Sequence, residues 1–107
     1  MNRKDIHLEL LRILEVNPEY TQRELSKDIG VSLGKVNYCM KKLSEKGWIK
    51  LKNFNSNPNK IGYGYYLTPK GINHKGRLTI SFLKTKMEEY KALEVEIKAL
   101  KKDTEKL

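Results

Sequence analysis

Between positions 32 and 46 the chain gathers side chains that can recognise a polyanion without any covalent chemistry: Lys35, Asn37, Tyr38, Lys41 and Lys42, with Gly34 among them. An asparagine amide can pair bidentately with adenine. A lysine can bond guanine or phosphate, and a tyrosine can stack or donate to phosphate. Gly34 costs helix propensity but lets the backbone come close to a sugar-phosphate strand.

No catalytic constellation competes with this cluster. His7 and His74 are far apart, and neither has a Cys or carboxylate at ligand spacing, so no metal site is expected. Gly62 and Gly64 lie in an aromatic run without the Lys-Ser/Thr of a phosphate-cradling loop. Asp5, Glu9, Glu15 and Glu19 read as the solvated face of a first helix. Neither an enzyme nor a cofactor is expected.

The elements that position the cluster are written in caps and stripes. Thr21 with Glu24 forms a capping box, Tyr20 and Leu25 suit a hydrophobic staple, and Leu25 and Ile29 share one side of a short helix. Gly30 suits the left-handed residue that ends it. Ser32 can cap the next helix, with Val31 and Val36 as a second staple. Two capped helices joined by a tight, glycine-containing turn are the signature of a helix-turn-helix.

In the second helix Val36, Cys39, Met40 and Leu43 recur at the spacing of a buried stripe. At about 100° per residue, Gly34, Asn37, Tyr38, Lys41 and Lys42 fall away from it and Lys35 lies at its flank. A rod about 10–12 Å across presenting that face fits a major groove about 12 Å wide. The bland alternative is an amphipathic helix with a solvated polar face.

Residues 48–54 alternate apolar and polar side chains as a half-buried strand does, Asn55 to Lys60 is turn chemistry, and 61–67 reads as a second strand. Together, residues 48–67 predict a β-hairpin wing with Lys60 at its tip for phosphate or minor-groove contact. The alternative is a hairpin that only covers the core. Gly62 and Gly64 predict a bulge or a close backbone contact.

Upstream, Ile6, Leu10, Ile13 and Leu14 give a first helix its core-facing stripe, ending near Asn17-Pro18. Downstream, Thr68 can cap a helix with Pro69 at its first position. From about Leu83 to Leu107 no Gly or Pro interrupts it. Leu83, Tyr90, Ile97 and Thr104 fall at heptad a positions, and Leu93, Leu100 and Leu107 at d positions, with Lys86 and Thr104 weakening the seam. Ile72, Leu78, Ile80 and Phe82 are expected to pack on the winged domain instead. The seam predicts a homodimer through Leu83, Tyr90, Leu93, Ile97, Leu100 and Leu107, whose helix orientation the charges do not choose. The alternative is a helix folded back on its own domain.

The fold class expected is thus mostly α with a small β-hairpin: a winged helix-turn-helix over residues 1–70, followed by one long C-terminal coiled-coil-like helix over 71–107. Composition agrees. The 107 residues carry 22 Lys plus Arg against 13 Asp plus Glu, a formal charge of +9. Between Lys35 and Lys60 there are seven Lys against one acid, Glu45. Such clustering is the electrostatic footprint of a nucleic-acid binder, although Lys41, Lys42 and Lys46 also suit a helix C-terminus.

No apolar run is long enough for a membrane, and the start is no signal peptide. Cys39 is the only cysteine and sits on the buried stripe, so packing is its expected role and a reducing cytoplasm its expected setting. The candidate contacts to double-stranded DNA are Ser32, Leu33, Gly34, Lys35, Asn37, Tyr38, Lys41, Lys42 and Lys60. The competing class is a winged-helix and coiled-coil module that holds proteins together without specific DNA binding.

The strings Val31-Ser32-Leu33-Gly34-Lys35-Val36-Asn37-Tyr38-Cys39-Met40-Lys41-Lys42-Leu43 and Glu45-Lys46-Gly47-Trp48-Ile49-Lys50 resemble winged-helix regulators of the MarR family. With Leu67-Thr68-Pro69-Lys70-Gly71-Ile72 and Phe82-Leu83-Lys84-Thr85-Lys86-Met87-Glu88-Glu89-Tyr90, they resemble its small subgroup associated with bacterial exopolysaccharide (EPS) gene clusters. The resemblance covers nearly the whole chain. It implies a cytoplasmic, nucleoid-associated transcriptional regulator of exopolysaccharide genes. Two features depart from the broader family: the wing offers Lys60 where an acidic-x-Arg element is usual, and a single helix follows it where several build an effector pocket. A small-molecule effector is therefore not expected.

Overall fold

The structure, a computed structural model, describes residues 3–53 and 63–107. Its elements run α1 (Arg3–Val16), α2 (Gln22–Ile29), α3 (Leu33–Glu45), β1 (Ile49–Asn53), β2 (Tyr63–Leu67) and α4 (Pro69–Thr104). The fold is mostly helical with a two-stranded antiparallel hairpin, as the patterning predicts. Expectations for the wing tip, residues 54–62 with Lys60, lie outside the described residues.

Apolar stripes from three helices build the core. Ile6, Leu10, Leu11 and Leu14 of α1 meet Leu25 of α2 and Val36, Cys39, Met40 and Leu43 of α3, with Trp48 and Ile49 closing one end. Burying a side chain of this kind contributes about 1.5–3 kcal/mol. Ile13, Tyr20, Ile29, Val31, Tyr65, Leu67 and Leu78 pack around the rim.

The caps form as read. The Glu24 amide donates to Thr21 Oγ1 at 3.1 Å and the Thr21 amide to Glu24 Oε1 at 3.4 Å, completing the box. Gly30 ends α2 with φ 79°, its N–H donating to the Ser26 carbonyl at 2.9 Å. Ser32 Oγ accepts from the Lys35 amide at 3.1 Å to start α3. Beyond α3 the chain turns sharply at Gly47, also left-handed at φ 73°, which delivers Trp48 back to the Leu43 carbonyl at 3.0 Å.

The hairpin register is unbroken, from Ile49 opposite Leu67 to Asn53 opposite Tyr63. The bulge expected near Gly64 is therefore absent, and Gly62 lies outside the described residues. The close backbone contact takes its place: Tyr65 N donates to the Pro18 carbonyl at 3.0 Å, tying β2 to the connection after α1. Leu51, on the same strand face as Ile49, is exposed where the strand leaves the core.

Thr68 fastens the long helix. Its hydroxyl donates to the Gly47 carbonyl at 2.6 Å and accepts from the Gly71 amide at 3.0 Å, while its amide donates to the Trp48 carbonyl at 3.0 Å. The first turns of α4 lie against α1 and β2, where Gly71 is buried and His74, Lys75 and Leu78 are half-buried. The expectation that Ile72 and Ile80 join that packing fails. Both are exposed, Ile80 by 71%, because at about 100° per residue they point away from the face carrying Gly71 and Leu78. Only Leu78 and Phe82 of that group turn inward. Glu15, expected on a solvated face, is exposed there and also pairs with Lys75 Nζ at 2.8 Å across α1 and α4.

At about 1.5 Å per residue, the 36 residues of α4 reach about 54 Å, within a molecule 70 Å long and 25 Å across. The outer half leaves the winged domain behind with its side chains exposed. The helix ends at Thr104, so Leu107 stands past its last turn. Among the described residues, no helix is long and apolar enough to cross a membrane.

Candidate nucleic-acid interface

The polar face of α3 stands clear of the core. Val36, Cys39, Met40 and Leu43 are all at most 1% exposed, whereas Leu33, Gly34, Lys35, Asn37, Tyr38 and Lys41 are exposed. The predicted separation of faces holds for these residues, whereas Lys42, placed on the outward face, is only half-exposed. Leu33 and Tyr38 show 42% and 43% of their surface, an apolar component on an otherwise cationic side.

Each side chain has a describable state. Ser32 accepts at the helix cap, and a hydroxyl that accepts still carries its own proton to donate. Among the described residues, nothing beyond the adjoining backbone of its own helix lies within 4 Å of a Cβ built on Gly34, so the described fold has no need of a glycine there. Lys42 is half-buried, its Nζ 5.5 Å from the Tyr38 ring centroid and 3.7 Å from Glu45 Oε2. That engagement makes Lys42 more a support for Tyr38 than an outward cation.

Asn37 does not stand alone. Its Nδ2 donates to Gln22 Oε1 at 3.1 Å, a bond between the second turn of α3 and the first residue of α2. No local pattern signals this pair. The two residues are fifteen apart, and only the angle set at the Gly30 turn brings their amides together.

Charge extends from α3 onto β1. Lys46, Lys50 and Lys52 are exposed; Lys46 Nζ lies 4.8 Å from the Trp48 ring and Lys52 Nζ 5.5 Å from the Tyr66 ring. Lys50 and Lys52 contribute to the basic excess of the sequence but are not among the contacts expected from it. Alternation along a strand beside a basic helix was the signal for them. Glu45 is the single acidic residue in this stretch, and it is occupied by Lys42. A face with cations, amides, a phenol and an open backbone can bond phosphates and base edges together.

The C-terminal candidates lie apart from this face. Leu83, Tyr90, Leu93, Ile97 and Leu100 are all exposed on α4, and Lys86, the weak seam position, pairs with Glu89 at 3.1 Å and lies over Phe82.

Comparison with known proteins points the same way. Residues 3–50 match the winged helix-turn-helix DNA-binding family. The HTH-type transcriptional regulator Ptr1 of Methanocaldococcus jannaschii is 34% identical in an alignment over 73 residues that covers 63% of this chain. The chain spans about half the length of that curated relative, 49%. Among solved structures, smu.1704 from Streptococcus mutans UA159 superposes with a TM-score of 0.69 at 21% identity, covering 80% of this chain and 83% of its own. The MarR family transcription regulator SP03579 superposes at 0.60 and 15% identity, over 94% of this chain and 73% of its own. These likenesses show a winged helix-turn-helix fold, shared with a MarR family transcription regulator.

Proposed function

We propose that this chain is a sequence-specific DNA-binding transcriptional regulator that seats α3 in a major groove and rests its wing on the backbone or minor groove. The observation that carries the reading is the exposed face of Gly34, Lys35, Asn37, Tyr38 and Lys41, opposite a stripe sealed in the core. A match to a DNA-binding domain over residues 3–50 supports it. In this reading Lys35, Lys41 and Lys60 meet phosphate or guanine, Asn37 reads a base, and Ser32, Leu33, Tyr38 and Lys42 complete the contact.

The protein acts as a homodimer through the outer half of α4. Leu83, Tyr90, Leu93, Ile97 and Leu100 expose an apolar seam that a second copy would cover, with Leu107 just past the helix end. A two-fold pair suits half-sites spaced about 34–36 Å apart. Winged domain (1–70) and helix (71–107) then divide the work into reading and pairing, in the cytoplasm at the nucleoid. Exopolysaccharide genes are the proposed targets, on the resemblance of the α3 and α4 strings alone.

Gel-shift titration of a randomised duplex pool over a salt series tests the reading. A selected duplex should emerge whose affinity falls steeply with salt, since each phosphate neutralised releases counterions. The exposed seam also suits a protein-joining module; the absence of any preferred duplex would favour that role instead.

A further inference from the structure

The geometry points to Gln22 as a positioning residue that fixes which hydrogen-bond pattern Asn37 presents. The inference rests on the proposed seating of α3 and adds a second residue, from another helix, to the specificity of that site.

An asparagine amide carries two donor hydrogens and one acceptor oxygen. In the structure one N–H of Asn37 is committed to Gln22 Oε1 at 3.1 Å. What remains for an outside partner is Oδ1 and the other N–H, side by side. That acceptor–donor pair complements the N6 donor and N7 acceptor of adenine in the major groove.

The terminal torsion of a lone asparagine is broad, so an unheld amide would present its donor and acceptor in either order. Gln22 removes that freedom. Turning the Asn37 amide over would set Oδ1 against Gln22 Oε1, two acceptors facing each other, unless Gln22 turned as well. The two amides therefore move only as a pair. Gln22 opens α2 directly after Thr21, inside the capping box whose two hydrogen bonds between Thr21 and Glu24 brace the backbone on either side of it. An exposed side chain on α3 is thus held from a capped helix end on α2.

The test uses the full chain and a duplex selected from a randomised library. Affinities are measured for that duplex and its single-base variants with wild type, Asn37→Ala, Gln22→Ala, Gln22→Met, Gln22→Glu and the double Gln22→Ala/Asn37→Ala variant. Asn37→Ala should flatten discrimination at one base pair by about 5- to 150-fold. Gln22→Ala should lower it at that same pair by about 2- to 12-fold, the ratio an ordinary hydrogen bond commands. The double variant should lose no more there than Asn37→Ala alone. Gln22→Glu keeps an acceptor toward Asn37, so it should preserve the base profile while weakening every duplex alike through its charge. Gln22→Met, equal in length but without the acceptor, should behave as Gln22→Ala; it carries the test should the alanine variant melt early.

Loss of affinity in Gln22→Ala and Gln22→Met uniformly across all duplexes, beside a flattened profile in Asn37→Ala, overturns the role of Gln22 and leaves the regulator reading intact. An unchanged profile in Asn37→Ala removes base reading by Asn37 itself, and the inference with it.

Discussion

The α-carbon of Gly71 lies directly against the backbone carbonyl of Trp48, so that a methyl group built on it would overlap that oxygen. The same carbonyl accepts from Thr68 N, and the Trp48 ring stacks on His74 with centroids 4.2 Å apart and planes 15° from parallel. The end of α3, the hairpin and the long helix therefore meet at one joint around Trp48, with backbone on both sides of the closest approach.

Gly71→Ala should loosen that joint. Overpacking against backbone, which cannot step aside as a flexible side chain does, costs about 1–3 kcal/mol. For a domain of this size that lowers Tm by about 4–8 °C per kcal/mol. Differential scanning calorimetry of the variant checks it; an unchanged Tm would mean the helix start shifts at little cost.

Gly34→Ala should separate folding from binding. Among the described residues, nothing beyond the adjoining backbone of the helix lies within 4 Å of the new methyl, and alanine favours a helix by about 0.8–1.0 kcal/mol over glycine. Stability should hold or rise. DNA affinity should fall if the backbone at Gly34 approaches a sugar-phosphate strand. A melt and a gel shift on the same preparation measure both.

Placing charge on the outer helix should act on assembly alone. Leu93→Asp with Ile97→Asp alters two exposed side chains remote from the core, so the winged domain should keep its Tm. Sedimentation equilibrium at tens of micromolar should show a shift from dimer to monomer. A wild-type protein that already sediments as a monomer would dispose of the seam.

Cys39 should resist reagents. Its side chain is 1% exposed within the apolar cluster, so native alkylation should proceed only as fast as the domain opens. Cys39→Ser should cost about 1–3 kcal/mol by placing a hydroxyl among apolar neighbours. Mass-spectrometric labelling with and without denaturant tests the first point, and urea titration the second.

How much of this could be read in advance follows from how far apart the interacting residues lie. Thr21 with Glu24, Ser32 with Lys35, and the Val36-to-Leu43 stripe are interactions within one or two turns, and spacing alone exposes them. The identity of the face on α3 was legible for the same reason. The Gln22–Asn37 bond, the Glu15–Lys75 pair and the approach of Gly71 to Trp48 join separate elements, and no periodicity encodes them. Ile72 and Ile80 differ from the expectation because apolar character alone does not imply burial. Their angular positions relative to Leu78 already set them on the outward side of α4.

The hydrogen bond from Tyr65 to the Pro18 carbonyl fastens the root of the hairpin to the same body that carries α3. In the proposed complex with DNA, a reading surface fastened in this way has little give of its own. A duplex laid on it must do the adjusting, so the stiffness of base steps lying between the touched positions enters the energy of the complex. Two sites offering identical contacts would then be told apart by how readily each one bends.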